Sequence, residues 1–146
     1  MRLQGAVFDG TEALLDAGGA PLPGVKEFLS LMKIENVWMY LVGDAAAAPV
    51  RAALEQSGLW SYFRGLLSAV EQGRAPLDPE LYEKAVRRLR TARRATVIFT
   101  AREEALRTAK SAGFQVVLVG PGHSMEASSL ADVTVSDYRD MIHVEH

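Results

Sequence analysis

Alternation between short uncharged apolar runs and amphipathic stretches of helical period constrains this chain more than any single residue. The runs GAVF (5–8), VWMYLV (37–42), GLLSA (65–69), TVIFT (96–100) and QVVLV (115–119) carry no charge and are mostly rich in β-branched or aromatic residues. Such runs read as strands buried on both faces. Between them, apolar residues recur with helical spacing: Val25, Phe28, Leu29 and Met32; Val50, Ala53 and Leu54; Leu81, Ala85 and Leu89; Ala105, Leu106, Ala109 and Ala112. Gly58 and Gly113 stand where the second and fourth helices need a C-cap, and Pro79 stands at the first turn of the third. A last strand is expected at 133–135, followed by a helical turn capped by Ser136.

Strand and helix in strict alternation imply a three-layer, Rossmann-like α/β fold, a parallel sheet flanked by helices. In such sheets function gathers at the carboxyl ends of the strands. With 146 residues, 49% of them apolar, the chain suffices for one sizeable core, and a single domain over residues 1–146 is expected.

Composition excludes more than it proposes. No cysteine is present, which removes disulfides, thiolate metal sites and a cysteine nucleophile. A net charge of −2 and a pI near 5.9 give no global attraction to nucleic acid or an anionic membrane. The apolar run near the amino terminus ends at Asp9, too short for a signal or membrane segment, so a cytoplasmic protein without membrane attachment is expected.

Four stretches at successive strand ends carry a resemblance. FDGTEALLD (8–16) is similar, without gaps, to the first motif of the haloacid dehalogenase (HAD) superfamily, hydrophobic strand then F-D-x-D-G-T-L-x-D. Phe8, Asp9, Leu14, Leu15 and Asp16 fall on that pattern, and the local Gly10-Thr11 pair is out of register with the family's G-T. PLPGVKEFLSLMK (21–33) resembles the family's P-G-V helix; only a few residues separate it from the first motif, which implies a core with no cap domain inserted there. YLVGDAAAAPVRAALEQSGLWSYF, SAVEQGRAPLDPELYEKAVRRL and VIFTAREEALRTAKSAG resemble motifs two, three and four.

The resemblance implies a phosphohydrolase in which one Asp attacks phosphorus to form an aspartyl-phosphate and a second Asp acts as acid and base. A Ser/Thr and a Lys hold the phosphoryl oxygens, and further acids hold Mg²⁺. Here Asp9 occupies the nucleophile position and would share the metal. Thr11 replaces the second Asp, Gly43 the Ser/Thr, Pro76 the Lys, and Ala101 and Ala105 the motif IV acids. Candidates to compensate are Asp44, Arg74 and Arg102, the arginines as phosphate-holding cations, and Glu103 and Glu104 as metal ligands.

Two functions follow. In one, phosphohydrolase activity is lost, no cofactor is needed, and the protein serves as a binding or interaction module, self-association or another protein supplying the partner. The alternative is a weak or altered Mg²⁺-dependent phosphatase acting through Asp9. A third, minor reading is an RNA or anion site at Arg87, Arg88, Arg90, Arg93 and Arg94; it lacks interleaved aromatics and reads rather as a solvated helix end. His123, His143 and His146 read as surface or tail residues, Trp38, Met39 and Tyr40 as core, and Trp60, Tyr62 and Phe63 as a helix-end cover or dimer surface.

Overall fold

The uncharged runs pair side by side in one parallel sheet. The computed structural model describes residues 2–142. Its strands are β1 (Gly5–Asp9), β2 (Trp38–Gly43), β3 (Leu66–Ser68), β4 (Thr96–Thr100), β5 (Gln115–Val119) and β6 (Val133–Val135), in the order β3-β2-β1-β4-β5-β6 with every pairing parallel. The helices are α1 (Val25–Ile34), α2 (Ala47–Gln56), α3 (Glu80–Leu89), α4 (Glu103–Ser111) and α5 (Met125–Leu130). A six-stranded parallel sheet flanked by helices is the expected Rossmann-like arrangement.

Alternation along the strands divides the core into two layers. Ala6, Phe8, Met39, Leu41 and Phe99 pack with α1 and α2 on one face; Val7, Tyr40, Val42 and Ile98 pack with α3 and α4 on the other. Phe8 and Phe99 are register partners on adjacent strands and stack at 4.6 Å, with Phe28 and Tyr138 extending the aromatic cluster. The Tyr138 hydroxyl donates to the Ala13 carbonyl at 2.6 Å, tying the carboxyl-terminal part of the described chain to the turn after β1.

Chain order reverses between β1 and β4. Parallel register sets Asp9 beside Val42 on one side and Thr100 on the other, so Asp9, Gly43 and Ala101 all come to the carboxyl edge at this switch point. The connection from β1 to α1 holds only a 3₁₀ turn (Thr11–Ala13) and an antiparallel bridge between Leu15 and Pro21. No cap domain is inserted there.

Gly58 and Gly113 take left-handed conformations (φ 78° and 88°) after α2 and α4, and Pro79 is the residue from which α3 starts. Other expectations need correction. Asp137, not Ser136, caps the last 3₁₀ turn, its carboxylate accepting from the Arg139 amide. Trp38 is not core: it opens β2 at the sheet's rim, 47% exposed, with Arg64 stacked on its ring at 4.4 Å. Helix α5 was not anticipated, because its six residues MEASSL bury only Ala127 and show no helical stripe.

Candidate functional site

Asp9 ends the central strand 2% exposed, with acceptor oxygens that must find donors. Thr100, its register partner, donates its hydroxyl to Asp9 Oδ2 at 2.8 Å. The chain then turns out of β4, the Arg102 amide donating to Thr100 Oγ1 at 3.1 Å, and this turn aims the Arg102 side chain back across the strand ends. Arg102 Nε and Nη2 donate to Asp9 Oδ2 and Oδ1 at 3.1 and 3.0 Å, and Nη1 donates to Asp44 Oδ2 at 2.8 Å. Asp44 follows β2 and is itself fixed by the Leu77 amide on Oδ1 at 3.1 Å. One planar guanidinium thus bridges two carboxylates, bidentate on the buried one.

Burial pushes the Asp9 carboxyl above the usual carboxylate range, opposed by the hydrogen bonds and charge of Arg102 and by the Thr100 hydroxyl. For Arg102, burial works against the cation, but Asp9 and then Asp44 outweigh it, so its pKa is raised and its charge is permanent. Tyr82 of α3 lies against the same carboxylate; burial, then the charge of Asp9, push its phenol up, so it remains neutral.

The other positions singled out by sequence do not join this cluster. Thr11 opens the 3₁₀ turn, Gly43 ends β2, and Ala101 follows β4 directly, all near the strand ends. Ala105 is wholly buried inside α4, whereas Pro76 is exposed in the connection before α3. Arg74 pairs with Asp78 at 3.4 Å and makes no bond to Asp9. Glu104 is exposed. Glu103 turns the other way, accepting from the Ser124 amide and hydroxyl at 2.8 and 2.9 Å and meeting His123 Nδ1 at 3.1 Å; the Ser124 bonds, ahead of His123, hold its carboxyl below the usual range. His123 is therefore not a free surface residue: its Nε2 also meets the Val119 carbonyl at 2.9 Å. His143 and His146 lie outside the described residues.

The arginines after α3 are partly engaged rather than simply solvated. Arg87 pairs with Glu80, Arg93 with Glu83, and Arg93 also covers the Phe114 ring at 4.9 Å.

The fold has known counterparts. A dehalogenase solved with an intermediate complex superposes with a TM-score of 0.74 at 21% identity, covering 84% of this chain and 55% of that one. The HAD-hydrolase YfnB from Bacillus subtilis, solved bound to magnesium, gives 0.72 at 15% identity, covering 83% and 53%. In sequence, the "Probable phosphatase IndB" of Dickeya dadantii (strain 3937) is 29% identical over 138 residues, covering 92% of this chain and 60% of that protein. The family model of haloacid dehalogenase-like hydrolases matches residues 10–119, and the chain belongs to that family. It spans a little over half the length of these relatives.

Magnesium, which YfnB holds, does not fit the donor set found here. Mg²⁺ demands near-octahedral oxygen ligation, and both Asp9 oxygens and Asp44 Oδ2 already face a guanidinium. Ala101 and Ala105 offer no side-chain oxygen, and among the described residues no three His, Cys, Asp or Glu side chains gather as a metal site. Among those residues no helix is long and apolar enough to cross a membrane.

Proposed function

We propose that this HAD-like core does not hydrolyse phosphoesters and works as a binding or interaction module, with a second copy or another protein as its partner. The observation that carries the reading is the Arg102 guanidinium clasped between Asp9 and Asp44. A nucleophilic carboxylate needs an oxygen lone pair free to approach phosphorus. Here Asp9 Oδ2 accepts two hydrogen bonds, one charged and one from Thr100, and the remaining lone pair lies on Oδ1, which the same guanidinium holds by a charged bond. The cation sits where a metal would have to share Asp9, and its tie to Asp44 opposes its leaving.

Position 11 reinforces this, because a threonine hydroxyl cannot exchange a proton near neutral pH as a carboxylic acid does. Loss of one general acid or base lowers rate by about 10²- to 10⁴-fold, and groups acting as a unit do not add independently. The test is turnover of p-nitrophenyl phosphate with Mg²⁺ or Mn²⁺, run beside Asp9→Ala. The account expects the two proteins to be indistinguishable; metal-dependent turnover abolished by Asp9→Ala would establish the alternative, a phosphatase working through an aspartyl-phosphate.

A further inference from the structure

A second cluster of cations lies along the free edge of the sheet, away from Asp9. The edge strand β3 is flanked by α2 on one face and α3 on the other, and a cavity of about 570 Å³ opens across it. Its lining includes Arg51, Arg64 and Arg88, with Tyr40, Trp60 and Leu66 as its apolar surface. This volume falls within the range typical of small-molecule sites.

Each arginine is positioned by an aromatic side chain rather than by a strong carboxylate partner. Arg51 covers the Trp60 ring at 4.9 Å, Arg64 covers Trp38 at 4.4 Å, and Arg88 Nη1 donates to the Tyr40 hydroxyl at 3.2 Å. Stacking on an aromatic ring occupies a guanidinium's face and leaves its N–H edge free for an oxyanion. Among the described residues Arg64 and Arg88 have no carboxylate within ion-pair distance, and Arg51 has only the exposed Glu55 at 3.6 Å. The one acid in the lining, Glu71, accepts from the Ala47 amide at 2.7 Å at the start of α2.

Gly65 shows that this arrangement is built into the backbone. A Cβ there would lie 2.6 Å from the Tyr40 hydroxyl oxygen and 2.7 Å from its Cζ. Only a residue without a side chain lets the Tyr40 ring cross the edge strand to meet Arg88. No lining residue hydrogen-bonds to Asp9, Asp44 or Arg102, so the pocket is independent of the clasped site.

Within the lining, three guanidiniums stand against one carboxylate, a double positive charge that matches a dianion better than a monoanion, while the exposed Glu55 beside Arg51 lies outside it. We infer that this pocket binds an organic phosphate monoester whose remaining part is flat and apolar, the phosphate held by Arg51, Arg64 and Arg88 and the flat part lying against Trp60 and Leu66. The proposal does not depend on whether Asp9 is catalytic.

The test is titration of the full chain with phenyl phosphate, benzoate and inorganic phosphate, following the Trp60 and Trp38 indole N–H resonances and the amides of residues 9, 44 and 102. Phenyl phosphate is expected to move the indole signals, not the Asp9 cluster, and to bind more tightly than either fragment. Arg88→Met should weaken it by roughly 10- to 100-fold, the loss of one charge-assisted contact. Gly65→Ala should weaken it too by displacing Tyr40; Arg88→Met carries the test alone if Gly65→Ala does not fold. Absence of binding, shifts confined to the Asp9 cluster, benzoate or inorganic phosphate binding as tightly as phenyl phosphate, or an unchanged Arg88→Met affinity would each overturn the proposal.

Discussion

Replacing Arg102 by Met keeps most of the side-chain volume and removes the charge, leaving Asp9 buried without its counter-ion. Removing one partner of a buried ion pair costs about 3–5 kcal/mol. Asp9 is nearly inaccessible, but the Arg102 and Asp44 side chains are 29% and 26% exposed, so water softens the loss and about 2–3 kcal/mol is expected at neutral pH. For a chain of this length that corresponds to a fall in Tm of roughly 5–10 °C.

The pH dependence is specific. Burial already raises the Asp9 carboxyl, and Arg102 opposes that rise. In Arg102→Met the folded-state pKa climbs further above the unfolded value. A carboxyl with a raised folded pKa holds its proton more tightly in the native state, so stability is lost as pH rises from the unfolded pKa through the folded one. The deficit of Arg102→Met should therefore be full above the variant's Asp9 pKa and shrink as pH falls through it, where Asp9 becomes neutral. Urea unfolding of both proteins between pH 4.5 and pH 8, on the order of six conditions, measures this, with m unchanged if only stability moves. Adding Asp9→Asn should recover much of the loss, because the unpaired charge is gone. A variant within about 0.5 kcal/mol of the parent, the scatter of ordinary surface substitutions, or a deficit that does not change with pH, would mean that Arg102 does not stabilise the Asp9 charge.

Other expectations concern the scaffold. Tyr138→Phe removes the donor to the Ala13 carbonyl inside the aromatic cluster and should cost about 1–2 kcal/mol in urea unfolding. Gly24→Ala places a Cβ 2.7 Å from the Arg139 amide nitrogen at a residue whose φ is 78°; with rigid backbone as the obstacle and left-handed geometry besides, a loss of about 2 kcal/mol or more is expected in thermal melts. Glu103→Gln should speed hydrogen exchange of the Ser124 amide. In the parent, because the Glu103 carboxyl lies below its ordinary range, that protection should persist below the ordinary glutamate pKa and be lost only as pH falls through the depressed value.

Much of the fold was legible because the interior of a buried parallel strand seldom carries charge, Asp9 coming only at the carboxyl end of β1, so five uncharged runs mark five of the six strands. Helices α1 to α4 were legible from apolar periodicity, and their ends from Gly58, Gly113 and Pro79. What periodicity could not show was α5, too short and polar to have a buried stripe, although Ser124 followed by Glu126 is a helix-start signal. Trp38 misled because strand membership does not tell whether a residue lies at the rim or the centre of a sheet.

The site divides in the same way. Asp9, Asp44 and Arg102 are recognisable as residues near strand ends, and the motif resemblance drew attention to each. Their mutual contact is not, because it depends on parallel register between β1 and β4 and on the turn at Thr100 that reverses the Arg102 side chain. Sequence suggested Arg102 as a cation for phosphate; the structure gives three of its donors to carboxylates. Glu103 was offered as a metal ligand and is instead committed to Ser124 and His123, a contact that only the approach of α4 to the loop after β5 creates.

On the proposed reading, Arg102 holds Asp9 so that it does not act as a nucleophile. Intact-protein mass spectrometry after incubation with excess acetyl phosphate and Mg²⁺, with peptide mapping around residue 9, tests it most directly. The account predicts no phosphoryl adduct on Asp9 in the parent chain. A stable or trappable adduct on Asp9 that disappears in Asp9→Asn would contradict it.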